Sequence, residues 1–354
     1  METHKQELAP KEVAWLERFG IHVQAEDTST EMSDIDTVDE VCFKKSTTSK
    51  VYLANVLENS GCQTLSAKKY AVKVSLFPYS KVDTILKEIE LLQSLDHKNI
   101  IKPIPLEHIV KITSKSEAEL RIKPENAFMI TDFEEKGDLH MALMAQGRFT
   151  ESDARHYFRQ AVSALKYLHD RDIVHRDIKL PNVLLSDDET VKLIDFGHSV
   201  DLNSGTLSNH EGESEISSIS DIKGTQGYVP PEMLDARAKI MEFHEFGGMT
   251  DCDRPKIRIN LKLADIFSLG VLLFEMVVGI PPFVNANCRD SCYRSFYFKR
   301  KEDRFWRVHS QAKELDEQGQ ISEEFKNLIQ RMLTPFPKDR ITIDEIEQHD
   351  WLKA

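Results

Sequence analysis

The stretch DIVHRDIKLPNVLL, residues 172–185, constrains this chain more than any other. Asp177, Lys179 and Asn182 stand there among Val174, Ile178, Val183, Leu184 and Leu185, all of which favour burial. Polar groups on such backing are costly unless they are paired. Two explanations fit: a buried polar network that fixes a loop, or a site where a base, a charge neutraliser and a metal ligand stand at set distances. A carboxylate such as Asp177 can reach and deprotonate a hydroxyl. Lys179 can neutralise charge on a transferring phosphoryl group. Asn182 offers a neutral oxygen to Mg²⁺, a hard cation that prefers oxygen ligands. Asp195 follows in LIDFGHS, leaving a hydrophobic strand just before a Phe-Gly turn. That position can aim its carboxylate as the main metal ligand, while Gly197 lets the chain turn.

The chain has 354 residues, 40% of them hydrophobic, which is room for one large domain or two lobes. Its formal net charge of -13 disfavours nucleic acid and anionic membranes as partners, while an acidic surface suits basic peptides. The five cysteines, Cys42, Cys62, Cys252, Cys288 and Cys292, are odd in number and form no C-x-x-C pair. Cys288 and Cys292 have the spacing of helix neighbours, but nothing completes a zinc set. Free thiols fit a reducing compartment, so the expected location is cytoplasmic or nuclear. The opening METHKQELAPKEVAWLERFG is charged throughout, unlike a signal peptide. The greasiest run, 264–283, is interrupted by Glu275 and Pro281-Pro282, so it reads as a buried helix and no membrane insertion is expected.

Residues 1–38 read as an extension: a short helical periodicity through Val13, Leu16 and Phe19, then an acidic, Ser/Thr-rich linker. From 39 to 130 the pattern is mostly strand. EVCFKK and KVYLANVLE flank STTS as a hairpin, and KKYAVKVSLF, KPIPLEHIVKI and AFMITDF read as further strands. SKVDTILKEIELLQSLDH is a helix with Ile85, Ile89, Leu92 and Leu95 on its apolar side. Helices dominate from 134 onward, beginning with ESDARHYFRQAVSALKYLHD and its cap candidate Thr150. DLNSGTLSNHEGESEISSISDIKGT reads as a long flexible loop, and SEEFKNLIQRMLT and TIDEIEQHDWLKA as closing helices. A strand-rich front and a helix-rich back suggest two lobes with a cleft.

HRDIKLPN followed by LIDFGHS, in this order and separation, resembles the eukaryotic protein kinases. The resemblance covers residues 39–354 and implies an α+β, bilobal fold with a small β-rich N-lobe and a large α-helical C-lobe. It places the N-lobe at 39–131, the hinge at 132–136, the C-lobe at 137–354 and the activation segment at 195–232. ATP and Mg²⁺ are the implied cofactors, and protein Ser/Thr hydroxyls the implied acceptors. YAVKV puts Lys73 at the position that contacts the α- and β-phosphates, and Glu88 at that of its ion-pair partner. Asp177 and Lys179 then act on the transfer itself, and Asn182 and Asp195 hold the metal. MITDFEEKGDL resembles the connection between lobes. Thr131 takes the gatekeeper position, Asp132, Phe133 and Glu134 the adenine edge, and Asp138 the ribose. Val51, Ala71 and Leu184 match the residues that sandwich the adenine, and each suits a plain core position equally. In GTQGYVPPE, Glu232 matches the acid that pairs with Arg340, and Asp265 in DIFSLGV matches the brace of the catalytic loop. Lys179 and Thr225 follow the serine/threonine form of the family. Pro181 stands where arginine-directed relatives often carry Glu. The segment 279–309 resembles calcium/calmodulin-kinase-like proteins of protists.

The pattern also breaks. The three glycines of the family's phosphate loop fall on Lys44, Ser46 and Ser49. Glycine lets backbone amides approach phosphate closely. Ser46 and Ser49 are small enough to keep part of that approach, and Lys44, Lys45 and Lys50 add charge. Two readings stay open: an active kinase with an atypical loop, and a pseudokinase that serves as a binding or scaffold module. Arg176 stands where relatives pair with an activation-segment phosphate, with Ser217, Ser218 and Ser220 as candidate acceptors and Asp221 as a candidate phosphate mimic. The segment 233–262 is longer than the family needs and reads as an inserted loop, either a partner site or inert.

Overall fold

Runs of β-branched and aromatic residues in SKVYLANVL, AKKYAVKVS and FMITD favour a pleated, half-buried surface. In the computed structural model the described residues are 42–45, 49–57, 67–75, 82–104, 128–204, 208–209, 213–245, 255–297 and 304–354. The N-terminal extension, Ser46 and positions 105–112 of the expected strand lie outside them. The chain divides into two compact units, Met1–Asp96 with Ile101–Phe133, and His97–Ile100 with Glu134–Ala354.

The first unit is an antiparallel sheet in the order β1 (Cys42–Lys45), β2 (Ser49–Leu57), β3 (Ala67–Ser75) and β4 (Phe128–Asp132). A bulge between Cys42 and Lys44 shifts the register, so that Lys44 lies opposite Val51. Such a bulge bends and twists the hairpin where the glycines are missing. Helix α1 (Val82–Ser94) buries Ile85, Glu88, Leu92 and Leu95. Ile89, expected on that stripe, is only half-buried. Glu88 takes its place because an ion pair compensates its charge.

The second unit begins with α2 (Leu139–Gln146) and α3 (Glu151–His169). Thr150 caps α3 by accepting the Asp153 amide, and Glu151 and Asp153 complement the helix dipole. Two small ladders follow: β5 (Ile173–Val174) pairs with β8 (Val200–Asp201), and β6 (Val183–Leu185) with β7 (Val191–Leu193). The stretch read as a flexible loop instead contains β9 (Ser208–Asn209) and β10 (Glu213–Ile216). The stretch read as an inserted loop supplies α4 (Pro231–Glu245) and β11 (Ile257–Asn260). These strands form a three-stranded antiparallel sheet in the order β11-β10-β9.

Helix α5 (Leu261–Val278) is buried on nearly every face, as its apolar run predicts. It ends at Gly279, whose φ of 89° suits a left-handed cap and whose amide donates to the Glu275 carbonyl. A Cβ there would meet the Gly147 carbonyl oxygen at 2.5 Å, so only glycine fits. The chain closes with α6 (Arg304–Val308), α7 (Ser310–Glu317), α8 (Glu323–Met332), α9 (Ile343–Glu347) and α10 (Asp350–Lys353). The last segment, read as one helix, is two, because the His349 side chain accepts the Trp351 amide and starts a new turn. Cys288 and Cys292 do not share a helix, since only turns link them. Among the described residues no helix is long and apolar enough to cross a membrane.

Candidate active site

In the first unit, register brings Val51, Lys73 and Met129 into one row and Leu53, Ala71 and Thr131 into the next. Directly paired residues share a face, so Val51, Ala71, Lys73 and Thr131 lie on one side of the sheet. Lys73 donates to both Glu88 carboxylate oxygens, at 2.9 and 2.8 Å. Glu88 is 2% exposed, and the bidentate contact offsets the cost of burying its charge. Glu90, the other glutamate on this helix, is exposed. Ser49 is buried in β2, opposite Ser75. Asp132 lies opposite Tyr70, on the other face from Thr131, and the Phe133 amide donates to the Lys69 carbonyl.

In the second unit the stretch 172–185 folds around Asp265 of α5. Its carboxylate accepts the amides of His175 and Arg176, each at 2.8 Å, and approaches His169 Nε2. This grip holds Arg176 at φ 66°, a conformation that costs about 1–3 kcal/mol. Asp195 adopts the same φ of 66° at the end of the β7 strand turn. His175 is fully buried, and burial holds its imidazole below the usual range although Asp265 pulls the other way. The neutral ring then has one tautomer available. Nε2–H donates to the Ile194 carbonyl at 3.0 Å, and Nδ1 accepts the Asp177 amide. His175 thereby ties the Asp177 loop to the residue before Asp195.

Asp177 is the hub. Oδ1 accepts the Thr225 hydroxyl at 2.7 Å, and Oδ2 accepts Lys179 Nζ at 2.7 Å and Asn182 Nδ2 at 3.1 Å. Lys179 also donates to the Thr225 hydroxyl at 2.7 Å. Burial pushes the Asp177 carboxyl upward, but the Lys179 bond and charge and the Thr225 bond outweigh it and hold it below the usual range. A buried, ionised carboxylate held by the Lys179 ammonium and by the neutral donors of Asn182 and Thr225 is thus in place. Asn182 is committed through its nitrogen, which also donates to the Asp177 carbonyl, so its amide oxygen is the atom left for a hard cation. The Ile194 amide donates to the Asn182 carbonyl and links the two oxygen donors, Asn182 and Asp195.

The remaining nucleotide-contact candidates divide. Leu184 bridges to Asp138, and the Asp138 carboxylate caps α2 by accepting the Met141 amide at 2.8 Å. The Glu134 carboxylate takes Lys192, and its carbonyl takes the Gly137 amide, so Glu134 serves the second unit internally. Asp221 does not offer its carboxylate to Arg176. The carboxylate accepts the amides of Ser217 and Ser218, and Arg176 reaches the Asp221 carbonyl. The direct bond of Thr225 to Asp177 and Lys179 was not evident from its motif, which lies more than forty positions away in sequence.

The protein kinase domain family model matches residues 47–352. The protein named "Probable serine/threonine-protein kinase CCRP1" of Zea mays is 28% identical over 86% of this chain and 39% of its own length. An Aurora kinase of Debaryomyces hansenii is 30% identical, over 81% of this chain and 56% of its own. Testis-specific serine/threonine-protein kinase 1 of Mus musculus is 31% identical, over 75% of this chain and 59% of its own. The chain therefore spans about two fifths to three fifths of the length of these relatives. With the Asp177 hub, the Lys73–Glu88 pair and a matched region that covers most of its length, the chain belongs to the protein kinase family, whose fold is bilobal and α+β.

Proposed function

We propose that the chain is an active serine/threonine protein kinase that transfers the γ-phosphoryl group of ATP to Ser or Thr hydroxyls of protein substrates. The observation that carries this reading is the hub of Asp177, Lys179, Asn182 and Thr225. In it Asp177 orients the acceptor hydroxyl and takes its proton, and Lys179 neutralises charge on the phosphoryl group as it moves. Lys73, steadied by Glu88, holds the donor phosphates. Val51 and Ala71 pack the adenine on the sheet face of the first unit that also carries Lys73 and Thr131.

Asn182 and Asp195 present oxygen donors, the set a hard divalent cation prefers, and Mg²⁺ held there supplies charge neutralisation for the phosphates. The pseudokinase reading has in its favour only the missing loop glycines. Loop contacts assist positioning, whereas every group that moves the proton or holds the metal is retained. A place in the cytoplasm or nucleus follows from the cysteine set, and protein substrates are the partners this chemistry needs.

The test is phosphate transfer from labelled MgATP to a generic Ser/Thr substrate and to the protein itself, with Asp195→Asn beside the wild type. Transfer by the wild type and a loss of at least about a hundredfold in the variant is expected. Absence of transfer by both, with MgATP failing to raise the melting temperature, would establish the pseudokinase.

A further inference from the structure

Residues 213–216 sit in a stretch rich in Ser, Gly and Asp, yet they behave as a half-buried strand. Ser214 and Ile216 are buried, at 1% and 0% exposed, while Glu213 and Glu215 are partly exposed, the period-two alternation of a pleated strand. All four residues pair with β11, from Glu213↔Asn260 to Ile216↔Ile257. The buried face packs with Val174, Leu202, Met233, Ala236, Ile240, Ile259 and Leu261. The sheet is thus fastened to β5, two residues before Arg176, and to α4 and α5.

Downstream, Ser218 caps the single turn Ile219–Asp221 in a capping box with Asp221. Gly224 follows at φ 118°, where a Cβ would lie 3.1 Å from Val229, and then Thr225 with its bonds to Asp177 and Lys179. Arg176 is already engaged. Its Nε donates to the His198 carbonyl at 2.6 Å and its Nη1 to the Asp221 carbonyl at 3.3 Å. These bonds use two of the five guanidinium N–H donors and already tie Arg176 to the segment without phosphate.

We propose that β11 is a built-in positioning strand. By completing the ladder of β10 it holds residues 213–225, and with them Thr225 against Asp177 and Lys179, without phosphate on Ser217, Ser218 or Ser220. Ile216 and Ile259 are positioning residues that touch no reacting group. The catalytic consequence rests on the kinase reading above, whereas the ordering of the segment does not.

The test uses the full chain after phosphatase treatment and reads two things: hydrogen exchange of amides 213–222, and kinetics for protein substrate and ATP separately. Successive N–H groups of a strand point to opposite sides, so one of Ile257→Pro and Arg258→Pro must remove a ladder donor. Arg258 is exposed, so Arg258→Ala removes the same side chain and keeps the ladder. Exchange in the wild type and Arg258→Ala is expected to be at least about tenfold slower than in the ladder-breaking proline variant. That variant is expected to lose about tenfold in kcat/KM for protein substrate, with the KM for ATP changed less than about twofold.

Should both prolines unfold the domain, Ile259→Ala is expected to give the same substrate-selective loss, and Ile259→Val to restore it. Wild-type exchange as fast as in the proline variants would overturn the proposal, as would activity that appears only after phosphorylation of Ser217, Ser218 or Ser220. Protection that depends on β11 in a protein that transfers no phosphate would support the ordering and overturn the kinase reading alone.

Discussion

Glu275 lies on α5, nearly buried, and the Tyr228 hydroxyl donates to its carboxylate. Burial pushes the Glu275 carboxyl up to about 7, although the Tyr228 bond pulls the other way. The folded-state value therefore exceeds the unfolded value of 4.5, and between the two the native state holds a proton that the unfolded chain has lost. The associated stability is complete below the unfolded value and disappears as pH rises through the folded one. The difference corresponds to about 3 kcal/mol. Glu275→Gln keeps an acceptor for Tyr228 and removes the titration. Melting curves should show the wild type losing ground to this variant from about pH 5 to about pH 7.5. A gap between them that is independent of pH would refute the assignment. At this scale the sequence was readable where one motif holds both partners of a bond, as with Asp177 and Lys179 or Asp177 and Asn182. Thr225 and Glu275 were not readable as partners, because each bond joins positions about fifty apart.

Helix starts are written locally, although only Thr150 was picked out from the sequence as a cap. Thr150, Asn260, Ser322 and Thr342 each accept an amide in the first turn of the helix they cap. The sheet β11-β10-β9 gave no such sign. ESEI is four residues long with Ile216 as its one apolar residue, and its partner lies more than forty residues on. Strand preference is largely packing against neighbours, so a short strand far from its partner carries little local signal. The interior of α5 shows how closely elements meet. A Cβ at Gly270 would lie 2.8 Å from the Met332 Cβ and 3.0 Å from Leu333 of the α8 end. Gly270→Ala gains about 1 kcal/mol of helix propensity, and overpacking costs about 1–3 kcal/mol. A net loss of about 1 kcal/mol, seen as a lower denaturation midpoint, is the expected outcome. An unchanged or higher midpoint would show that α8 shifts freely.

Across the second unit one ion pair ties distant segments together. Arg340, 3% exposed, donates to both oxygens of Glu232, at 2.7 and 3.0 Å, and to the carbonyls of Leu263 and Thr334. Arg340→Ala leaves a largely buried carboxylate and two carbonyls without their partner. The expected cost is about 3–5 kcal/mol, or roughly 10 °C in melting temperature for a unit of this size. The loss should fall on the second unit alone, which hydrogen exchange can resolve. A change below about 1 kcal/mol would mean that water replaces the guanidinium at no cost.

The sequence by itself determined the family, the division into a strand-rich and a helix-rich part, and the motifs in which Lys73, Asp177, Asn182 and Asp195 stand. Each of these rests on contiguous motifs or on a short repeating period, which survive as local pattern. Tertiary structure alone decided that Glu88 rather than Ile89 joins the buried stripe of α1, that Glu134 turns to Lys192, and that Asp221 caps its own turn. It also decided that the supposed loop at 201–225 and the supposed insertion at 233–262 meet as one sheet. These outcomes depend on which groups are left to satisfy buried charges and backbone amides once the chain has packed. That competition is settled between segments far apart in sequence, where no local pattern records it.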